Sequence, residues 1–269
     1  MSYEYTLQQV PGTDITYETR GSGETAVLFV HGFLQGKITW DDLLDASETG
    51  DVEIARLDLA GMGERADAAG PFTLDRFTDD VVKVIDALAK PVVLVGHSIG
   101  TQIVELAAAR RHNAVHGIVL VAPIPLTGTQ FPAENLQPAR DAAGDPVALR
   151  AVGAGLYDKL AAERSTALVS AAAGMRPSAV RLIGDAFNNG HADGAEVSRF
   201  TGPVLLLPGV QDQAAPPAVV DTAIEPRFKN VQRIDVDEAS HFPQLEQPAV
   251  VARAYDEFLA DIRAARRDM

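Results

Sequence analysis

The sequence predicts an α/β domain in which a mostly parallel, doubly wound sheet carries helices on both faces. Short, nearly continuous apolar runs recur along the chain, as is typical of strands buried on both faces. Segments with a helical spacing of apolar residues lie between these runs, and one stretch rich in Ala, Gly and Pro interrupts the alternation. A chain of 269 residues is long enough to bury the core of one such domain.

The strands are predicted from two kinds of pattern. Two segments of alternating polarity, residues 3–10 and 15–17, are separated by Pro11 and Gly12 and predict an antiparallel hairpin at one edge of the sheet. Six apolar runs predict parallel strands at residues 26–30, 54–57, 92–95, 118–121, 204–207 and 231–236.

Helices are predicted between and after these strands, at residues 74–88, 99–109 and 249–262. From 123 to 202 the alternation stops: this segment has helical pieces around 148–173 and 179–188 and no clear strand. We therefore expect a core formed by residues 1–122 and 203–269, and a helical cap at 123–202 inserted after the sixth strand.

Composition excludes several classes of partner. The formal net charge of −14 opposes binding to phosphate backbones and anionic membranes, so neither nucleic acid nor a membrane is expected. No apolar run approaches the roughly 20 residues of a membrane helix and the N-terminus lacks a cationic start, so a cytoplasmic location is expected. There is no cysteine, and the six histidines lack metal-ligand spacing, so we expect no metal and no cofactor. The expected partner is a small-molecule substrate; these patterns do not specify the oligomeric state.

The candidate nucleophile is Ser98, within residues 96–100, which read Gly-His-Ser-Ile-Gly between a buried strand and a helix. The serine must occupy a sharp turn, and Gly96 and Gly100 lack the side chains that would collide where strand and helix meet. The helix directs its free N–H groups and its positive end at the site, so the Ile99 N–H is expected to be one oxyanion donor. A glycine-flanked turn without function is common for the bare pattern, but the flanking elements favour catalysis.

This strand, turn and helix resemble the nucleophile segment of the α/β-hydrolase fold superfamily, and the resemblance covers nearly the whole chain outside the cap. Residues 27–33, which read Val-Leu-Phe-Val-His-Gly-Phe, resemble the superfamily's oxyanion loop after its third strand. The resemblance implies that the backbone N–H of Phe33 is the second oxyanion donor. Only one glycine follows His31, unlike the triple-glycine loop of some lipases. His31 and His97 are expected to brace their own loops.

His241 is the candidate base, because it lies in a loop just past the predicted strand at 231–236, where the superfamily keeps its histidine. Asp212 is the candidate acid and follows the predicted strand at 204–207. The order Ser98, Asp212, His241 matches the order of nucleophile, acid and histidine in the superfamily.

Other positions for the acid are weaker. Some relatives carry it one strand earlier, but residues 121–125 contain no carboxylate. Asp237 and Glu238 lie beside His241 on its own segment, where solvation of a strand end explains them. Asp58 follows the predicted fourth strand in a turn that resembles the superfamily's, and is expected to be structural.

A pocket between cap and core is expected to be apolar, with few charges. The candidates for substrate contact are Trp40, Phe131, Tyr157, Met175 and Phe187, with Phe33 and Leu156 beside them. Each of these residue types is more often found in a core than in a binding site. Such a pocket favours an uncharged, hydrophobic ester or lactone over a sugar phosphate or a peptide.

Three functions fit these residues. The first is hydrolysis of a small carboxylic ester or lactone through an acyl-enzyme. The second is C–C bond hydrolysis or cofactor-free perhydrolysis of the haloperoxidase kind, since relatives of similar layout use the same triad. The third, outside the enzymes, is a ligand receptor that keeps the fold, which an intact triad disfavours. A Rossmann oxidoreductase is excluded, because no Gly-x-Gly-x-x-Gly motif opens a helix.

Overall fold

The computed structural model of the protein describes residues 4–153 and 159–267. In that part of the chain eight strands form one sheet. They are β1 (Thr6–Gln9), β2 (Thr16–Arg20), β3 (Ala26–Val30), β4 (Glu53–Leu57), β5 (Val92–His97), β6 (Val115–Val121), β7 (Val204–Leu207) and β8 (Val231–Arg233).

The strands lie in the order β1-β2-β4-β3-β5-β6-β7-β8. The β1–β2 hairpin is antiparallel and β2 pairs antiparallel with β4, whereas all the other pairings are parallel. This confirms the predicted mostly parallel sheet with an antiparallel hairpin at one edge. The last strand is shorter than predicted: β8 ends at Arg233, and a single bridge between Gly209 and Val236 follows it. As the edge strand, β8 is supported by one neighbour only.

The helices are α1 (Asp41–Ala46), α2 (Leu74–Leu88), α3 (Ile99–Arg110), α4 (Ala133–Asp141), α5 (Pro146–Gly153), α6 (Ala162–Ala173), α7 (Pro177–Asn189), α8 (Pro217–Val219), α9 (Pro243–Glu246) and α10 (Pro248–Arg267). The predicted helix at 74–88 has the bounds of α2, because Thr73 caps it by accepting a hydrogen bond from the Arg76 N–H at 3.2 Å. None of the described helices combines the length and apolar composition that a bilayer crossing requires.

Two apolar clusters cover the two faces of the sheet, as the doubly wound prediction requires. One contains side chains of α2, α3 and the helices that follow β6, and the other contains side chains of α1 and α10. Residues of β3 alternate between them: Leu28 belongs to the first cluster, whereas Val27 and Phe29 belong to the second. The central strands are therefore buried on both faces.

Helices α4 to α7 follow β6 and confirm the predicted helical cap. The sequence analysis did not predict α4, which contains Pro138 and buries only Leu136, so its sequence shows no apolar stripe. A buried ion pair at 2.6 Å between Arg227 and Glu105 lies where the chain returns from the cap, and Arg227 also donates to the carbonyl of Gly194.

The junction of β3, β5 and α3 leaves no room for a side chain at Gly100. A β-carbon there would collide with the carbonyl oxygen of Val30 and lie 2.9 Å from that of His31. Both obstacles are backbone atoms of the sheet and its following loop, so neither can rotate away. The approach of α3 to the central strands therefore depends on this glycine.

We expect Gly100→Ala to lower the free energy of unfolding by about 1–3 kcal/mol, because the new methyl group forces α3 away from the sheet. Thermal and urea denaturation followed by circular dichroism would measure the loss. Gly50→Ala is the matched control, since a β-carbon at Gly50 meets no atom within 4 Å. Equal stability of the two variants would contradict the packing described here.

Candidate active site

Ser98 lies at a sharp turn between β5 and α3, with φ 54° and ψ −121°. A left-handed φ at a residue with a side chain costs of order 1–3 kcal/mol and persists only where surrounding contacts impose it. Here the Ser98 carbonyl accepts hydrogen bonds from the N–H of Thr101 at 2.8 Å and from the hydroxyl of Thr101 at 2.6 Å. The Ser98 N–H donates to the carbonyl of Val121 at 3.2 Å. The turn holds the Ser98 hydroxyl at the carboxyl edge of the sheet.

Gly96 makes this turn possible, since a β-carbon there would lie 2.6 Å from the carbonyl carbon of Gly100 and 2.9 Å from the nitrogen of Thr101. Gly96 and Gly100, both predicted to matter for the turn, are thus required for the same steric reason: a strand and a helix meet within a few residues. Ser98 itself is 8 % exposed, so its hydroxyl faces a confined space.

The structure brings together the three side chains predicted as nucleophile, base and acid. The Ser98 Oγ lies 3.0 Å from Nε2 of His241, and Nδ1 of the same ring lies 2.9 Å from Oδ2 of Asp212. Each residue follows the carboxyl end of a different parallel strand, β5, β7 or β8, and those ends meet at one edge. One unbroken hydrogen-bonded chain results, although the three residues are far apart in the sequence.

Asp212 is oriented by its own backbone neighbours. Its Oδ1 accepts hydrogen bonds from the N–H groups of Ala214 at 2.7 Å and Ala215 at 3.4 Å, which leaves Oδ2 for the imidazole. Burial opposes ionisation of this carboxyl, but His241 and these N–H groups outweigh burial and hold the pKa of Asp212 below its ordinary value. The alternatives Asp237 and Glu238 are exposed, as their expected solvation requires.

The charge state of His241 is set by opposing effects. Burial disfavours the imidazolium, but the nearby carboxylates, Asp212 above all and then Glu246, outweigh burial and raise the pKa of His241 above its ordinary value. Below that pKa the ring is protonated and cannot accept a proton from Ser98. A base at this position is therefore active on the alkaline side of its pKa.

His31 and His97 hold the loops around the triad in place through hydrogen bonds to the backbone, as expected. His31 donates from Nδ1 to the carbonyl of Gly32 at 2.8 Å and accepts at Nε2 from the Leu59 N–H at 3.0 Å. His97 donates from Nε2 to the carbonyl of His241 at 2.7 Å, and burial lowers its pKa to about 3. A neutral His97 thus connects the nucleophile turn to the loop of the base.

The loop after β3 lies directly against the nucleophile. A β-carbon at Gly32 would lie 3.1 Å from Cβ of Ser98 and 2.6 Å from Nδ1 of His97, so the glycine permits the close approach. Phe33 follows Gly32 on this loop, and Ile99 is the first residue of α3. Both residues therefore flank Ser98; their role as oxyanion donors stays a prediction.

A cavity of about 360 Å³ opens at Ser98 between cap and core. Ser98 and His241 are among its lining residues, together with Phe33, Leu34, Gln35, Ile124, Thr129, Phe131, Asn135, Leu136, Pro138, Ala139, Val152, Phe187, Gln213, Ala214 and Phe242. Among these described residues there is no Asp, Glu, Lys or Arg. The rings of Phe33 and Phe187 lie 5.2 Å apart and connect the loop after β3 to α7.

The structure places only some of the predicted pocket residues at the cavity. Phe131 and Phe187 line the cavity, whereas Tyr157, like Leu156, lies outside the described residues. Trp40 and Met175 are not among the residues that line the cavity; both are almost fully buried and belong to the core clusters on opposite faces of the sheet, and their contact with a substrate stays a prediction. Their apolar character reflects packing, which sequence alone does not distinguish from a pocket lining.

Several lining residues were not predicted from the sequence, above all those on α4 such as Leu136. They were missed because α4 itself was not predicted. Gln35 was also missed; it lies three residues after Gly32, and its Oε1 accepts from the Gly32 N–H at 3.4 Å. Within residues 4–153 and 159–267, no three His, Asp or Glu side chains group closely enough to hold a metal ion.

Comparison with known proteins identifies the family of this chain. Residues 27–254 match the model of the alpha/beta hydrolase family, a range that runs from β3 into α10 and contains the whole Ser98–His241–Asp212 chain. The chain belongs to the alpha/beta hydrolase family. This match confirms the resemblance that the segments around Ser98 and His31 indicate.

Curated relatives of this hydrolase-family chain match it over part of their length. Lipase LipV of Mycobacterium tuberculosis is 35% identical over 103 residues, which cover 38% of each protein. The acetyltransferase component of an acetoin cleaving system from Cupriavidus necator is 29% identical over 125 residues, covering 45% of this chain and 32% of the relative. The matched region therefore spans about a third of each relative.

Solved structures match over nearly the whole chain at low identity. A bromoperoxidase from Bacillus anthracis gives a TM-score of 0.80 at 17% identity and covers 97% of this chain and 100% of its own. A thermophilic esterase from Thermogutta terrifontis gives 0.75 at 22% identity, covering 96% and 99%. At these identities the likeness concerns the fold.

We expect the imidazole of His241 to titrate above 6.5 in the wild type and at lower pH in Asp212→Asn, because the neutral amide no longer stabilises the imidazolium. NMR titration of the histidine ring signals would measure both values. His116 is an internal control, since it lies near the start of β6, at the opposite end of that strand from the site. A His241 pKa that is the same in both proteins would contradict this account.

Proposed function

We propose that the protein is a serine hydrolase that cleaves a carboxylic ester or lactone of a small hydrophobic substrate through an acyl-enzyme. The proposal rests on the hydrogen-bonded chain from Ser98 through His241 to Asp212. Ser98 lies at a strained turn, and Ser98 and His241 line an apolar cavity. Membership of the alpha/beta hydrolase family supports it.

The proposed reaction begins when the Ser98 Oγ attacks the substrate's carbonyl carbon while Nε2 of His241 accepts its proton. The negative charge that forms on the carbonyl oxygen is stabilised by the backbone N–H groups of Phe33 and Ile99. The imidazolium then gives its proton to the departing alkoxide, and the acyl group stays on Ser98. Water, deprotonated by His241, then attacks the acyl carbon; the bond to Ser98 Oγ breaks, the imidazolium returns its proton to Oγ, and the acid is released.

Asp212 keeps its charge throughout this cycle. Its lowered pKa means that it is ionised when His241 is protonated, so it stabilises the imidazolium and holds the Nδ1–H towards itself. The Nε2 of the neutral ring is then free to accept the proton of Ser98. The proposed nucleophile is activated by its position and by this charge.

The cavity supports the proposed substrate class. The described lining has no ionisable group apart from His241, so a charged substrate would lose its hydration without gaining an ion pair. Buried apolar groups such as Leu136 and Phe242 suit a hydrocarbon acyl or alkyl group. The amides of Asn135 and Gln213 are exposed, which places polar groups at the opening of the cavity.

We expect a fluorophosphonate probe to label wild-type protein at Ser98, and Ser98→Ala to lose on the order of 10⁴-fold or more in kcat/KM for its best ester. Mass spectrometry of the labelled peptide and steady-state assays would check both. Ser170→Ala is the matched control, because Ser170 is an exposed serine on α6.

The substrate panel should contain aryl esters, lactones, vinylogous diketones, and acetate with hydrogen peroxide. Turnover of the esters or lactones above the other classes is the expected outcome. Preferred cleavage of the diketones, or preferred perhydrolysis, would replace the ester reaction with another use of the same triad. Folded protein that neither reacts with the probe nor turns over any substrate would end the enzymatic proposal.

We expect Leu136→Trp to lower kcat/KM for a hexanoyl ester by about 10–100-fold while leaving an acetyl ester within about threefold, because the larger ring fills the apolar cavity. The ratio of the two esters in parallel assays is the measurement. Glu134→Trp adds the same ring to the exposed side of α4 and should keep the wild-type ratio. An unchanged ratio in Leu136→Trp would contradict the assignment of this cavity to the acyl group.

A further inference from the structure

Glu246 clamps the loop that carries His241. Its Oε2 accepts from the Ser240 N–H at 2.7 Å, and its Oε1 accepts from the Ser240 hydroxyl at 2.6 Å and from the Phe242 N–H at 3.0 Å. Ser240 and Phe242 are the two chain neighbours of His241, so one carboxylate holds both sides of the base. The Glu246 side chain is 2 % exposed and does not line the cavity.

A buried carboxylate is expensive to maintain unless donors satisfy it. A neutral acceptor could also hold a loop, so three hydrogen bonds alone do not require a charge. The negative charge of Glu246 nevertheless has an effect that a neutral group would lack, because Glu246 is one of the two carboxylates whose charge favours the protonated form of His241. The first of them, Asp212, contacts the ring directly, whereas Glu246 contacts its neighbours.

We infer that Glu246 is a positioning residue of the base: it orients His241 through the flanking backbone and stabilises, by its negative charge, the imidazolium that forms during attack. The inference rests on the proposed function, because it assigns a role to Glu246 through His241 as the base. Glu246 does not touch the substrate in this role. Its effect should appear in kcat and in the pH profile, with little effect on KM.

Lys159 of the cap segment faces the same carboxylate. Its Nζ lies 3.8 Å from Oε2 of Glu246, donates to the carbonyl of Glu238 at 2.9 Å and contacts Oε1 of Gln211. Because its charge is opposite in sign to that of Glu246, we expect Lys159 to offset part of the effect of Glu246 on His241. Among the described residues, the charged or titratable groups that face this pair are Asp212 and His97, which face His241, and Lys159, which faces Glu246.

The test is Glu246→Gln. The amide can keep its oxygen at the position of Oε1, which preserves the bonds from the Ser240 hydroxyl and the Phe242 N–H, while its NH₂ group faces the Ser240 N–H and loses that bond. We expect kcat for the best ester to fall by about 10–100-fold with KM nearly unchanged. The acid limb of kcat/KM should move to lower pH, because the imidazolium has lost a stabilising charge.

Glu257→Gln is the matched control: it removes one negative charge from the exposed side of α10 and should leave the profile in place. Lys159→Met should move the acid limb the opposite way, to higher pH, because the charge of Glu246 is no longer offset. Melting temperatures report whether each variant is folded. If Glu246→Gln does not fold, the direction of the shift in Lys159→Met decides the question.

An acid limb that stays at the wild-type pH in folded Glu246→Gln would overturn the inference whatever Lys159→Met does, as would a loss in Glu246→Gln that appears entirely in KM. The rate of fluorophosphonate labelling at each pH gives a second measure of the same limb, independent of any ester. Failure of the proposed function is distinguishable, because the wild type would then show neither labelling nor turnover. Normal turnover with no response to Glu246 would reject the positioning role alone.

Discussion

The backbone turn at Ser98 is the constraint on which the rest of the site depends. A left-handed conformation at a residue with a side chain is unfavourable, and it is held here by hydrogen bonds to Thr101 and Val121. Gly96 and Gly100 remove the collisions that would otherwise separate β5 from α3. Because the strand, the turn and the helix are packed against their neighbours, the hydroxyl cannot leave the edge where His241 meets it.

Burial has opposite consequences for the histidines of the site, depending on the charges nearby. For His31 and His97 burial dominates and lowers the pKa, so both rings stay neutral and serve as hydrogen-bonding links between loops. For His241 the carboxylates of Asp212 and Glu246 reverse the effect. The ring that can accept a proton is thus the one that the tertiary structure places between negative charges.

The cap covers part of this edge of the sheet and so forms one wall of the cavity at Ser98. Its helices α4 and α7 supply apolar side chains such as Leu136 and Phe187, while the core supplies Ser98 and the loop after β3. Polar contacts join the two parts, including Arg164 to Asp42 at 2.9 Å and Lys159 to the loop before His241. A substrate in the cavity would therefore contact both parts at once.

The alternation of strands and helices, the turn at residues 96–100 and the order of Ser98, Asp212 and His241 could all be predicted from the sequence, because they depend on local periodicity, on glycine sterics and on strand ends. The sequence did not determine which apolar residues line the cavity: Trp40 and Met175 are core residues, and Leu136 lies on a helix whose pattern Pro138 obscures. The contacts of Glu246 with Ser240 and Phe242 also could not be predicted from the sequence, since a glutamate after a loop is usually solvated. Only tertiary packing decides which side chains share a space and which charges face one another.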